Sequence, residues 1–152
     1  MKPILSLFLL LLLNLTAMAQ NNNPNYDAEL AKTLGADDYG MKKYILVILK
    51  TGTNTTTDKV ITDSLFAGHM DNIWRLVALN KLIVAGPLEK NDLTYRGIFI
   101  LNVTTLEEAN ELLLTDPAIK EKLLTPELFN WYGSAALPEY LKASDKVWKQ
   151  NP

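Results

Sequence analysis

The chain has 152 residues, with 15 lysines and arginines against 17 aspartates and glutamates, one histidine and no cysteine. A net charge of −2 leaves no basic excess, which argues against nucleic acid as a partner. Without cysteine the chain has neither disulfides nor thiolate ligands, and a single histidine makes a metal site improbable. We therefore expect no metal and no cofactor.

The first 19 residues have the features of a secretory signal peptide. Lys2 precedes the apolar run Leu7–Leu13, and Ala17-Met18-Ala19 supplies small residues where a signal peptidase cuts. Such a run is too short for a stable membrane span. We therefore expect cleavage after Ala19 and no stable membrane span in the mature protein. A cysteine-free exported domain favours a bacterial envelope, and the predicted location is periplasmic or secreted.

Hydrophobic periodicity and turn residues predict the elements that follow. Residues 20–40 read as a polar linker ending in a short helix, and the apolar run Tyr44–Leu49 indicates a strand. A long helix should follow, with Thr56 or Thr57 as its N-cap and Asp58 in its first turn. The predicted elements are a helix over 26–34, a strand over 41–49, a helix over 58–79, strands over 82–85 and 95–103, a helix from Thr104 or Thr105 to Asp116-Pro117, a helical turn over 118–124, a strand over 128–132 and a helix over 138–150.

Without its terminal additions, this order is strand, helix, strand, strand, helix, strand. It predicts an α+β fold of the ferredoxin-like βαββαβ type, with a four-stranded antiparallel sheet and both helices on one face. The expected organisation is a signal peptide (1–19), a linker with a short helix (20–40), the α+β domain (41–135) and a C-terminal helix (136–152). The second sheet face would be apolar, and either the terminal helices or a second copy of the chain should cover it. We favour a homodimer through that face.

His69 lies on the apolar face of the long helix, in register with Ile61, Leu65 and Ile73. A histidine in such a place is either a core residue bonded to a backbone carbonyl or a working acid–base group. The aromatic residues Phe129, Trp131 and Tyr132 are better explained as core or dimer interface than as a stacking platform.

Two stretches carry a resemblance to a known family. His69 to Pro87 reads HMDNIWRLVALNKLIVAGP, and Thr105 to Pro117 reads TLEEANELLLTDP. The order of these motifs resembles the YCII-related family over about residues 44–132. The motifs are a histidine-bearing helix, a strand ending in Ala-Gly-Pro, a helix opening with Leu-Glu-Glu-Ala, and then Asp-Pro. The family often has arginine where this chain has Phe66-Ala67-Gly68, and glycine where it has Asn80.

The resemblance implies a dimeric α+β barrel similar in fold to muconolactone isomerase. It also implies an active-site His–Asp pair, which matches His69 and Asp116; one relative is a dehydrochlorinase of a chlorinated hydroxyquinol. Such a pair fixes the imidazole tautomer and leaves the other ring nitrogen free to take or return a proton. Asp116 also precedes Pro117, as a helix N-cap does, so a capping role alone would explain it.

Two kinds of function remain open at this point. The first is an exported enzyme doing proton-transfer chemistry of isomerase, lyase or hydrolase type on a small cyclic molecule, with His69 and Asp116 as the catalytic pair. The alternative is a non-catalytic small-molecule-binding or structural dimeric module of the envelope.

Overall fold

The computed structural model describes residues 23–149, and the predicted signal peptide lies outside them. Within residues 23–149 the chain falls into two units, 23–30 and 31–149. In the first, the described residues contain a turn and the start of helix α1 (Ala28–Leu34), where the Leu30 amide donates to Asp27 Oδ1 at 2.9 Å.

The second unit contains the predicted α+β domain. Its strands and long helices follow one another as strand, helix, strand, strand, helix, strand, the order predicted from the sequence. They are β1 (Met41–Thr51), α2 (Lys59–Ala78), β2 (Leu82–Pro87), β3 (Tyr95–Leu101), α3 (Leu106–Leu113), α4 (Pro117–Lys120) and β4 (Leu124–Ser134), followed by a 3₁₀ turn (Leu137–Tyr140) and α5 (Leu141–Ser144).

The four strands form one sheet in the order β2-β3-β1-β4, and each neighbouring pair is antiparallel. This is the ferredoxin-like arrangement, which confirms the predicted fold class. The central strand β1 directs Ile45, Val47 and Leu49 to one face, where they pack with Leu76 of α2 and Leu113 of α3. Both helices therefore cover the same face of the sheet.

The ends of α2 differ in part from expectation. Asp58, rather than Thr56 or Thr57, is the N-cap, because its carboxylate accepts hydrogen bonds from the amides of Val60 and Ile61. Asn80 follows the helix with a φ of 55°, the left-handed conformation that asparagine tolerates better than most residues.

The C-terminal segment Leu137–Trp148, here called the C-terminal wall, replaces the single helix predicted over 138–150. It is a 3₁₀ turn followed by the short α5, and Leu137 and Leu141 pack against Tyr44 and Ile100 on the second sheet face. Part of that face is thus covered within the chain, because its apolar strand residues take up the apolar side of this segment.

The three aromatic residues of β4 have different surroundings. Trp131 packs against Tyr44 with ring centroids 5.6 Å apart, whereas Phe129 and Tyr132 are 43% and 50% exposed. The Tyr132 hydroxyl donates to the Asp37 carboxylate. No helix within residues 23–149 combines the length and apolar character needed to cross a membrane.

Candidate active site

The structure brings together the two residues that the sequence singled out. His69 Nδ1 lies 2.6 Å from Asp116 Oδ2, a close hydrogen bond between side chains 47 positions apart in the chain. His69 is 9% exposed and Asp116 is completely buried. A buried carboxylate needs partners, and His69 provides one of them.

Asp116 is also the N-cap of α4, so the two explanations of this residue hold together. Its second oxygen, Oδ1, accepts from the amide of Ala118 at 2.9 Å and that of Ile119 at 3.4 Å. Pro117 occupies the first helical position, where a missing N–H costs nothing. Each carboxylate oxygen therefore has its own task, one capping the helix and the other holding the imidazole.

Gly68 allows the two helices to approach each other at this point. A β-carbon placed on Gly68 would lie 2.6 Å from Cγ of Pro117, which is much shorter than an ordinary contact of 3.4–4 Å. Because Gly68 precedes His69 and Pro117 follows Asp116, the glycine sets the separation of α2 and α4 where the hydrogen bond forms. Glycine at this position is thus part of the site's geometry.

Two phenylalanines hold the plane of the imidazole. Phe99 of β3 stacks on it, with ring centroids 5.8 Å apart and an interplanar angle of 19°, and Phe66 meets it edge-on at 6.2 Å and 89°. The immediate neighbourhood of His69 is therefore apolar apart from Asp116.

The other imidazole nitrogen, Nε2, is not held by the described part of the protein. It has no hydrogen-bond partner within residues 23–149. Every fully buried side-chain nitrogen or oxygen in that range does have a partner, so Nε2 is not fully buried. His69 also lines the cavity described below, so the side chain that carries this nitrogen borders a space large enough for a ligand. With Nδ1 held by Asp116, Nε2 is the nitrogen able to meet a ligand.

A polar network that the sequence analysis missed supports the Asp116 side of the pair. Arg75 Nη2 donates to Thr115 Oγ1 at 2.6 Å and to Asn72 Oδ1 at 2.7 Å, and Thr115 Oγ1 lies 3.0 Å from the same amide oxygen. Asn72 lies three residues after His69, on the same side of α2, and Thr115 directly precedes Asp116. This spacing was the available signal, and the network ties α2 to the segment that carries the carboxylate.

The cavity beside His69 has a volume of about 530 Å³. Arg96, which is exposed, is its one permanently charged lining residue within the described part of the chain. Burial raises the pKa of the Tyr140 hydroxyl above its ordinary value of 10.0, so it remains protonated and donates to the Ile83 carbonyl. The lining comes from α2 (Phe66, His69, Met70, Ile73, Trp74, Val77), the sheet (Leu49, Ile83, Ala85, Gly86, Pro87, Arg96, Gly97, Phe99, Leu124) and the C-terminal wall (Tyr140, Leu141, Ser144, Trp148).

Residues 23–149 contain no group of three histidine, cysteine or carboxylate side chains placed to hold a metal ion. The arrangement at His69 is that of an acid–base pair: one oriented nitrogen, one buried carboxylate and a large space in front of them.

Comparison with known proteins shows a likeness in structure. No family model and no curated protein matches the chain. Among solved structures, the chain is similar to 5-chloro-2-hydroxyhydroquinone dehydrochlorinase from Burkholderia phenoliruptrix in complex with 2,5-dihydroxybenzoquinone, at 20% identity and a TM-score of 0.42. The match covers 57% of this chain and 92% of that one.

Proposed function

We propose that this protein is an enzyme of the YCII-related type that moves a proton on a cyclic molecule, with His69 as the base and Asp116 as the residue that orients it. The observation that supports this most directly is the 2.6 Å contact between Nδ1 and Oδ2, which leaves Nε2 free on a side chain that lines a cavity. A histidine buried only for packing would have its polar nitrogens satisfied by the protein or by ordered water, whereas Nε2 has no protein partner within residues 23–149.

The proposed reaction begins with a substrate C–H group next to a carbonyl, in hydrogen-bond reach of His69 Nε2. Nε2 takes the proton, and the bond's electron pair passes into the carbonyl system as an enolate. The imidazolium that forms is stabilised by the Asp116 carboxylate across Nδ1–H. Return of the proton to another carbon completes an isomerisation, whereas departure of an anionic leaving group completes an elimination.

The surroundings of His69 suit this chemistry. Phe66 and Phe99 restrict the ring to one plane, so Nε2 meets the substrate in a fixed direction. Asp116 is completely buried, and its charge therefore acts on the imidazole through a medium of low dielectric constant, where its electrostatic effect is stronger than in water.

Proton exchange tests the proposal whatever the product of the reaction is. Unsaturated five-membered lactones and hydroxylated phenols would be incubated with the protein in D₂O, and ¹H NMR would follow the loss of their exchangeable C–H signals. We expect exchange with the wild-type protein on at least one of them, and a loss of about 100-fold or more in His69→Gln, the usual scale for removing a general base.

The matched control is a second capping aspartate. Asp116→Asn should lose most of the exchange activity, whereas Asp58→Asn, which alters the N-cap of α2, should retain it. Equal activity of the wild type and His69→Gln on every compound that exchanges would refute the assignment of His69.

A second candidate function is binding without turnover, and the largely apolar lining outside His69 favours it. In that case these compounds would bind, with a change in tryptophan fluorescence, but none would exchange protons faster than in buffer.

We also propose that the protein is exported to the periplasm or secreted, on the strength of the Lys2, Leu7–Leu13 and Ala17-Met18-Ala19 pattern. N-terminal sequencing of the protein recovered from the periplasm or medium of a bacterial host tests this. A terminus at Gln20 would support it, and retention of Met1 in the cytoplasm would contradict it.

We further propose a homodimer through the part of the second sheet face that the C-terminal wall leaves open. Phe129 is 43% exposed on this face, beside Trp131. Light scattering should give a dimer mass for the wild type and a monomer mass for Phe129→Lys. A wild-type monomer at tens of micromolar would contradict the proposal.

A further inference from the structure

The cavity continues well beyond the neighbourhood of His69. Phe99, Leu49 and Leu124 of its lining belong to the main core between the sheet and the helices, whereas Ile83 and Leu141 belong to the cluster on the opposite sheet face. Since the sheet separates these clusters, the cavity must pass around its edge strand, β2. One end therefore lies at His69 and the other beneath the C-terminal wall.

The far end differs in chemistry from the end at His69. Ile83, Tyr140, Leu141, Ser144 and Trp148 line it, and we call these residues the tail subsite. The Tyr140 hydroxyl is occupied by the Ile83 carbonyl, and the Ser144 hydroxyl donates to the Leu141 carbonyl at 3.1 Å. The polar atoms of both side chains are thus already satisfied within the protein, and what remains for a ligand is apolar surface.

The volume shows that a single ring would leave most of the cavity empty. A cavity of about 150 Å³ accommodates benzene, and the cavity here, at about 530 Å³, is three to four times larger. It falls in the range of pockets that enclose drug-sized molecules. A small ring bound at His69 would leave the tail subsite to water, which an apolar surface disfavours.

We propose that the ligand of this cavity is a ring or carbonyl compound carrying an apolar tail, with the reacting group at His69 and the tail in the tail subsite. The position of the reacting group rests on the function proposed above, whereas the tail rests only on the cavity. The tail is a hydrocarbon chain of medium length, because each added methylene group removes more apolar surface from water until the subsite is full.

A series of alkylphenols tests the proposal by binding alone. Phenol, 4-propylphenol, 4-hexylphenol and 4-octylphenol share a hydroxyl that can donate to His69 Nε2 and differ only in the tail. Their dissociation constants would be measured by tryptophan fluorescence in a Trp131→Phe background, where the remaining tryptophans, Trp74 and Trp148, both line the cavity. We expect affinity to rise about two- to fourfold per methylene group and then level off.

Two variants locate the tail, and a third serves as their control. Ser144→Trp should fill the subsite and weaken binding of 4-hexylphenol at least tenfold while leaving phenol within twofold. Trp148→Ala should act in the same direction by removing part of the apolar wall. Ala143→Trp introduces the same large side chain one residue away, at an exposed position that does not line the cavity, and should change neither constant.

Each outcome has a definite meaning. Affinity that does not change with tail length overturns the proposal, as does an equal effect of Ser144→Trp and Ala143→Trp on the long phenols. His69→Gln should weaken the whole series by one common factor and keep its dependence on length. If affinity depends on tail length but no compound exchanges protons, the tail subsite is supported and the proposed enzyme is contradicted. If compounds exchange protons but affinity does not depend on tail length, the enzyme is supported and the tail subsite is contradicted.

Discussion

Gly68→Ala should pull apart the His69–Asp116 pair by a steric effect that can be calculated from the structure. The added β-carbon would lie 2.6 Å from Pro117 Cγ. Restoring an ordinary contact of at least 3.4 Å requires a shift of about 0.8 Å, the difference between these two distances. If Asp116 moves with Pro117, the 2.6 Å hydrogen bond lengthens to about 3.4 Å, near the limit of a hydrogen bond.

The expected energy change combines two opposite effects. Overpacking costs about 1–3 kcal/mol, while alanine in place of glycine inside a helix contributes up to about 1 kcal/mol of stability. With the full gain of about 1 kcal/mol from alanine, the net result should be a loss of about 0–2 kcal/mol in the free energy of unfolding. Urea denaturation measures it. Since His69 is the sole histidine, the imidazole signals in ¹⁵N NMR report the state of the pair directly.

Pro117→Ala provides the control, because it removes the atom that the new methyl group meets. We expect Pro117→Ala alone to cost about 0.4–1 kcal/mol through the greater freedom of the unfolded chain. The double variant should be more stable than the sum of the two single effects predicts, with a coupling of about 1 kcal/mol. Additive effects, or a Gly68→Ala protein with unchanged stability and imidazole signals, would refute the steric explanation.

Three further predictions concern neighbouring contacts. Asp116→Asn should lower the free energy of unfolding by about 1–3 kcal/mol, because the single amide oxygen of asparagine cannot both cap α4 and accept from His69. Urea denaturation measures the loss, with Asp58→Asn as the control, since asparagine is as good an N-cap as aspartate. Thr115→Val should cost about 1 kcal/mol through the lost hydroxyl contacts and shift the His69 imidazole signals, and unchanged signals would show that the network does not position the pair. The hydrogen bond between Tyr132 and Asp37 lowers the pKa of Asp37 below its ordinary value of 3.8 and raises that of Tyr132 above 10.0. The stability that Tyr132→Phe removes should therefore be fully present between pH 3.8 and pH 10.0. It should be lost as the pH falls through the lowered pKa of Asp37 or rises through the raised pKa of Tyr132. Urea denaturation of the wild type and Tyr132→Phe across the pH range measures this, and a difference in stability between the two proteins that stays constant at acid pH would contradict it.

Local sequence features predicted much of the fold. The apolar run in β1 is typical of a strand covered on both faces, and Asn80 marked the end of α2 because asparagine tolerates a positive φ. β4 proved longer than the predicted 128–132, since it pairs with β1 from Ser134 to Leu124. Pro126 lies within the additional part of the strand, and because β4 is an edge strand, proline's missing N–H is tolerated there.

The site could be predicted only in part. The resemblance named His69 and Asp116, and the structure shows them in contact. The cavity could not be predicted, because its walls come from segments far apart in the chain, as the separation of 57 positions between Ile83 and Tyr140 illustrates. The C-terminal wall was read as one helix from its apolar spacing, whereas its shape depends on packing against the second sheet face.

The hydrogen bond from Tyr140 to the Ile83 carbonyl also has a consequence for solubility. β2 is an edge strand, and the exposed backbone groups of such a strand can pair with a strand of another molecule. Tyr140 occupies one of these carbonyls, and Pro87, at the end of β2, has no N–H to offer. A protein shortened before residue 137 should therefore aggregate through β2, because truncation would uncover both the edge and the apolar face beside it.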